Sequence, residues 1–134
     1  MSGEGAILGL DPGTRKCGYA VLPRGAAAPL TLGIAPLEAL SERLRELLAA
    51  TPVAVAAIGR GTNSAAVVEI VRSLGLRPEL VDERETTLLA RARFFRDHPP
   101  RGWRRLVPRG MLLPDRPIDD YAALLIAERY LKSS

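Results

Sequence analysis

The sequence predicts an α/β fold on a mixed five-stranded sheet flanked by helices, and three observations carry that prediction. Two apolar runs, Ile7-Leu8-Gly9-Leu10 and Cys17-Gly18-Tyr19-Ala20-Val21-Leu22, flank the turn-forming stretch Asp11-Pro12-Gly13-Thr14-Arg15 and read as an antiparallel hairpin. The apolar period then changes: Leu37, Leu40, Leu44, Leu47 and Leu48 recur at helical spacing with charged residues between them. Finally, the continuous apolar run at 53–58 suits a strand covered on both faces, as in parallel sheets. At 134 residues, 47% hydrophobic and 25% charged, the chain is long enough for one good core, and 1–134 reads as a single domain.

In order along the chain, strands are expected at 6–10, 17–22 and 30–34, forming a three-stranded meander. The first helix starts at Leu37 and ends before Pro52, because proline has no amide to donate and restrains the residue before it. The strand at 53–58 leads into a helix at 64–74, for which Thr62, Asn63 and Ser64 are candidate N-caps. A short strand at 78–81 and a helix at 86–97 follow. Residues 98–116 form a proline- and arginine-rich loop, and Pro117 opens a last helix at 118–132. The order βββαβαβα sets an antiparallel hairpin set beside parallel strands joined by right-handed crossovers. There is no internal repeat and no linker.

The first residues lack a basic region followed by an apolar stretch, and no apolar run approaches the ~18 residues of a membrane span. A cytoplasmic protein with no membrane partner is expected. Cys17 is the only cysteine, which excludes an internal disulfide and a multi-cysteine zinc site and marks it as a core residue of its strand. The net charge of +4 is localised: Arg101, Arg104, Arg105, Arg109 and Arg116 face only Asp115 within 98–116, and the remainder is neutral. That loop also holds the only tryptophan, Trp103, with Arg91, Arg93 and Arg96 just before it. Arginines around an aromatic suit a phosphate backbone and a stacked base, so Arg101, Trp103, Arg104, Arg105 and Arg109 are the candidate nucleic-acid contacts. A solvated connector has the same composition. His98, before Pro99-Pro100, reads as a surface residue.

Four acidic residues stand at the ends of apolar elements. Asp11 follows the first strand, Glu83 follows the fifth, and Asp119 and Asp120 open the last helix. The first, fourth and fifth strands are expected to be parallel, so their C-terminal ends share the edge at which open α/β sheets carry their sites. With the fourth strand in the middle, Asp11 and Glu83 start ~10 Å apart at ~4.8 Å per strand, a gap that the longer glutamate and a shared metal can close. Oxygen donors without histidine or thiolate suit Mg²⁺ or Mn²⁺. Two such ions ~3.5–4 Å apart activate water and stabilise the leaving oxygen of a phosphodiester. Each acid also has a structural use: Asp-Pro-Gly is a good turn, Glu83 lies in a run of mixed charges, and aspartates in a first helical turn complement the helix dipole. On a helical wheel Asp119 and Asp120 both point away from Glu128, Arg129 and Lys132, so periodicity leaves the choice between them open.

Gly9-Leu10-Asp11-Pro12-Gly13-Thr14-Arg15 with Gly18-Tyr19-Ala20-Val21, then Asp82-Glu83-Arg84-Glu85-Thr86-Thr87, then Ile118-Asp119-Asp120-Tyr121-Ala122-Ala123, resemble the three motifs of the YqgF family of RuvC-like nucleases. The resemblance runs in order over almost the whole chain, and Asp-Glu-Arg-x-Thr-Thr is its most specific part. It implies a ribonuclease H-like fold and a divalent-metal nuclease site. It also implies a role in maturing the 5′ end of precursor 16S rRNA, with that RNA and ribosomal particles as partners and a monomer or homodimer as the working form. Asp11, Glu83 and Asp119 are the implied metal ligands and catalytic residues, since aligning Ile126-Ala127-Glu128-Arg129-Tyr130-Leu131 with the family's closing helix puts Asp119 at the motif position. Asp120 is the alternate. After the fourth strand the family's Gly-x-Pro turn is replaced by Gly59-Arg60-Gly61-Thr62-Asn63-Ser64, and the second acid that RuvC-type resolvases place near there is missing, which moves that role to Glu83. The Thr-Asn-Ser turn is expected simply to cap its helix. Three alternatives remain: a resolvase of branched DNA, which needs a dimer; a non-catalytic RNA-binding ribosome-assembly factor; and half of a sugar-kinase or actin-like ATPase, whose second lobe this chain has no room for.

Overall fold

The first hairpin fixes the layering of the molecule. The computed structural model describes residues 5–83, 86–107, 113–114 and 116–133, with the backbone alone at Arg104. β1 (Ala6–Pro12) and β2 (Lys16–Pro23) pair antiparallel, and β3 (Thr31–Pro36) adds to the outside of β2. β4 (Val53–Gly59) lies parallel to β1 and β5 (Arg77–Val81) parallel to β4, giving a mixed five-stranded sheet in the order β3-β2-β1-β4-β5. The helices are α1 (Leu37–Ala50), α2 (Ser64–Ser73), α3 (Thr86–Asp97) and α4 (Asp119–Ser133), with a short 3-10 helix at Gly102–Leu106 in the arginine-rich loop. None of the described helices is long and apolar enough to cross a membrane.

Strand alternation divides the core into two layers. Leu8, Leu10, Ala56 and Ile58 face Leu40, Leu44, Val67 and Val71 of α1 and α2. Ile7, Ala20, Leu22, Val55 and Ala57 face Ala123, Leu124, Ile126 and Ala127 of α4. Each fully buried leucine or isoleucine contributes ~1.5–3 kcal/mol, and the central strands contribute on both faces. Cys17 is buried in the first layer. α3 packs on α4 through Ala90, Phe94, Phe95 and Tyr121. Arg93 is committed to that contact by an ion pair with Glu128 at 2.8 Å and does not extend the basic loop, whereas Arg96 stays exposed, 3.9 Å from Asp97.

The structure corrects two local expectations. β1 continues past Leu10 because the residue before a proline is driven into extended conformation. Asp11 therefore sits inside the ladder opposite Gly18, and the turn is Gly13-Thr14-Arg15, closed by the Gly13 amide donating to the Lys16 carbonyl at 2.9 Å. Asn63 stands at the N-cap position of α2 but does not cap it. It adopts φ 62° in the left-handed region and makes no capping hydrogen bond. Its side-chain amide instead donates to the carbonyls of Gly13 at 2.9 Å and Thr14 at 3.1 Å, tying the β4–α2 loop to the hairpin turn.

Candidate active site

Backbone contact, made possible by glycine, brings the last helix to the first hairpin. A Cβ on Gly9 would collide with the Ala123 carbonyl and lie 2.9 Å from the Ala127 Cβ, and one on Gly18 would overlap the Asp119 carbonyl and lie 2.8 Å from the Asp120 amide. α4 thus rests directly on β1 and β2, with its first turn against Gly18, the cross-strand partner of Asp11. A second pair of glycines seats Glu83. At Gly59 a Cβ would come within 2.8 Å of a Glu83 carboxylate oxygen, and at Gly61 it would meet the other oxygen more closely still. The glutamate therefore reaches across the end of β4 from β5 toward β1, and its carboxyl hydrogen-bonds that of Asp11.

Two carboxyl groups can share a hydrogen bond only if one carries the proton. Asp11 is that partner: burial first, then the charges of Asp119 and Glu83 and the bond to Glu83, push its pKa up to about 7. Asp119 is part of the field at Asp11, and its own carboxylate lies 3.5 Å from the Lys16 ammonium with a third of the side chain exposed. Asp120, one residue on, is turned elsewhere. Its side chain is 8% exposed and accepts from the Arg116 guanidinium at 3.3 Å and from the Tyr121 amide at 2.9 Å. The structure thus brings Asp11, Glu83 and Asp119 into one electrostatic group and leaves Asp120 outside it.

The donor chemistry is compatible with a hard divalent cation. Cys17, opposite Pro12, offers no thiolate, since burial pushes its pKa up to about 12 and the thiol donates to the Gly18 carbonyl at 3.3 Å. The remaining donors are carboxylate oxygens, the preferred ligands of Mg²⁺ and Mn²⁺. Among the described residues no three acidic, imidazole or thiol groups converge closely enough as they stand to hold a metal ion. Asp119 would have to leave Lys16 to join Asp11 and Glu83.

The candidate nucleic-acid residues that the structure describes stand at the surface. Trp103 is 73% exposed, Arg101 is exposed, and Arg105 donates from Nε to the Gly102 carbonyl at 3.3 Å at the surface. Arg109 lies outside the described residues. Sequence reasoning gave no packing role to Gly9, Gly18, Gly59, Gly61 or Lys16 and assigned Asn63 to capping. A signal existed for Gly9, which stands opposite small residues four apart, Ala123 and Ala127, in a helix that must lie on the sheet.

No protein-family model and no curated protein matches the sequence. Among solved structures the chain is similar to Thermus thermophilus RuvC, with a TM-score of 0.55 and 15% identity over 96% of each chain. It is also similar to T. thermophilus RuvC in complex with Holliday junction substrate, with a TM-score of 0.59 and 17% identity over 97% of this chain and 96% of that one. At such identities the likeness establishes the fold: this chain has the ribonuclease H-like fold of RuvC.

Proposed function

We propose that this chain is a divalent-metal-dependent nuclease whose site is formed by Asp11, Glu83 and Asp119 and whose substrate is structured or single-stranded RNA, with the 5′ end of precursor 16S rRNA as its target. The observation that carries the proposal is geometric: Glu83 reaches the Asp11 carboxyl over Gly59 and Gly61, and Asp119 is seated on Gly18, the cross-strand partner of Asp11, at the C-terminal edge of a RuvC-like sheet. Crowded, partly desolvated carboxylates are costly, and a strongly perturbed acid in such a place is a reason to look for chemistry.

Asp11, Glu83 and Asp119 would hold Mg²⁺ or Mn²⁺, in one site or in a pair of sites. Bound there, the cation supplies Lewis acidity for phosphodiester hydrolysis. The residues themselves do the rest. Asp11 must release its proton before it can serve as a ligand, so binding strengthens as pH rises through about 7. Gly59 and Gly61 leave the space in which the Glu83 carboxylate lies, and Lys16 holds Asp119 at the rim. Arg101, Trp103, Arg104, Arg105 and Arg109 would grip the strand through phosphate and base contacts. The choice of RNA rests on the resemblance of Asp82-Glu83-Arg84-Glu85-Thr86-Thr87 to the YqgF motif and on Gly59-Arg60-Gly61 standing where resolvases carry an acid.

A second reading, resolution of branched DNA, is favoured by the likeness to a RuvC structure solved with a Holliday junction. One assay decides between them: purified protein with Mn²⁺, Mg²⁺ or EDTA on single-stranded RNA, precursor rRNA fragments and a four-way DNA junction. RNA cleavage that EDTA abolishes is the expected result. Junction cleavage by a dimer would replace the RNA reading with the second one. Binding of precursor rRNA without metal-dependent cleavage of any substrate would leave an assembly factor.

A further inference from the structure

Between the end of α3 and the start of α4 the surface opens into a pocket of about 520 Å³, within the range of sites that hold small ligands. Phe94, Phe95 and His98 supply an aromatic wall, and Arg101 and Arg116 bring two guanidinium groups to it. The wall is firmly built: Phe94 meets Phe95 at 5.3 Å, Tyr121 at 5.6 Å and His98 at 4.6 Å, all edge to face. Arg116 is fixed over the rings of Phe94 and Tyr121, 5.1 and 5.7 Å from their centroids, while Asp120 holds its other side at 3.3 Å. Asp97, an acid in the pocket lining, is already engaged, accepting from the Tyr121 hydroxyl at 2.9 Å and facing Arg96 at 3.9 Å. Phe94 and Phe95 are buried, but His98 and Arg101 are exposed, so ring and charge are both accessible to a ligand.

The position of the pocket matters as much as its lining. Asp120, which orients Arg116, is the chain neighbour of Asp119, so the pocket and the acidic site share the first turn of α4. Taking the nuclease reading above as its basis, we propose that this pocket receives the unpaired base of a nucleotide flanking the cleaved phosphodiester, stacked against the His98 ring that Phe94 supports, with its phosphate met by Arg101 and Arg116. Aromatic rings and guanidinium planes accept the face of any base, but that face is free only when the base is out of a duplex. The pocket therefore selects single strands, loops or locally opened ends. RNA and DNA strands share this chemistry.

The test is equilibrium binding in EDTA by the full chain, read by fluorescence anisotropy on short single strands of RNA and of DNA and on the matching duplexes. His98→Ala should weaken single-strand binding roughly 5- to 150-fold, the loss of one stacked base, and leave duplex affinity where it was. His98→Phe, which keeps a ring, should restore the affinity. A single abasic nucleotide at the pocket position should reproduce the loss in the wild type and add nothing in His98→Ala, and the ratio of RNA to DNA affinities names the source of the base. Wild-type single-strand affinity in a folded His98→Ala protein, or equal losses on strands and duplexes, would overturn the pocket while leaving the nuclease reading standing. A protein that binds neither strands nor duplexes would overturn the pocket, and metal-dependent cleavage decides the nuclease reading separately.

Discussion

The acidic cluster and the arginine-rich loop are built in opposite ways. Asp11, Glu83 and Asp119 are placed by backbone packed against backbone: α4 lies on Gly9 and Gly18, Glu83 lies over Gly59 and Gly61, and Asn63 ties the neighbouring loop to the hairpin. Trp103 and Arg101 stand on an exposed segment with the solvent as their main neighbour. A rigid, partly desolvated setting gives charged groups leverage over one another, as the pKa of Asp11 illustrates, whereas exposed arginines act through a screened and additive field. Chemistry that depends on geometry belongs in the first region, and grip that must tolerate many sequences belongs in the second. Substitutions should therefore act abruptly in one and gradually in the other.

The strongest way to break that contrast is Asp11→Asn. It should lower metal-dependent cleavage by at least about 10³-fold without unfolding the chain, because one ligand charge is lost at constant size. Turnover near the wild-type rate at saturating Mn²⁺ would remove Asp11 from the site. Next comes the pair at the start of α4. Asp119→Asn should abolish cleavage with little change in melting temperature, since its side chain is a third exposed and, among the described residues, its ion pair is with Lys16 at 3.5 Å. Asp120→Asn should keep most activity and lose ~1–3 kcal/mol, because it weakens a buried bond to Arg116. Denaturant titration beside a cleavage assay on both variants would expose the reverse pattern if it holds.

The same region carries a signature in pH. Asp11 binds its proton more tightly in the folded chain, at about 7, than at its ordinary value of 3.8, so the folded state holds more protons between those limits. Metal-free stability should be fullest below that window and fall as pH rises through it, by on the order of 4 kcal/mol at most. Asp11→Asn should flatten the profile, and a wild-type profile already flat from pH 4 to 8 would contradict the coupling of the three acids. Packing gives a smaller effect. Gly18→Ala should cost ~1–3 kcal/mol and reduce cleavage together, because the new methyl meets the α4 backbone and pushes Asp119 from Asp11. The smallest change is expected in the loop, where replacing Arg101 and Arg105 with alanine should reduce the salt slope of single-strand RNA binding by about 0.7 for each phosphate the loop then fails to reach, and leave the melting temperature alone. An unchanged slope would make that segment a mere connector.

Much of the architecture is readable from the chain because it is local. The hairpin follows from two apolar runs around Pro12 and Gly13, α1 from the leucine spacing at Leu37, Leu40 and Leu44, and β4 from an uninterrupted apolar run at 53–58. The positions of Asp11, Glu83 and Asp119 at element ends are equally visible, since each marks where an apolar pattern stops. Asn63 misleads for the same reason: its local signal is a helix cap, and only the hairpin turn brought up to it by the fold offers a better set of acceptors. The aromatic pocket has no sequence signal either, because Phe94, His98 and Arg116 become neighbours only when α3 lies on α4.

The sequence by itself determined the elements, their order and the edge on which the acids gather, because turn chemistry, apolar period and crossover handedness act over a few residues at a time. The tertiary structure decided which acid faces which. Whether Asp119 or Asp120 turns toward Asp11 depends on the rotation of α4 about its own axis, a quantity no helical wheel contains. That rotation is fixed by contact of Gly9 and Gly18 with the α4 backbone and Ala127, more than a hundred residues away along the chain.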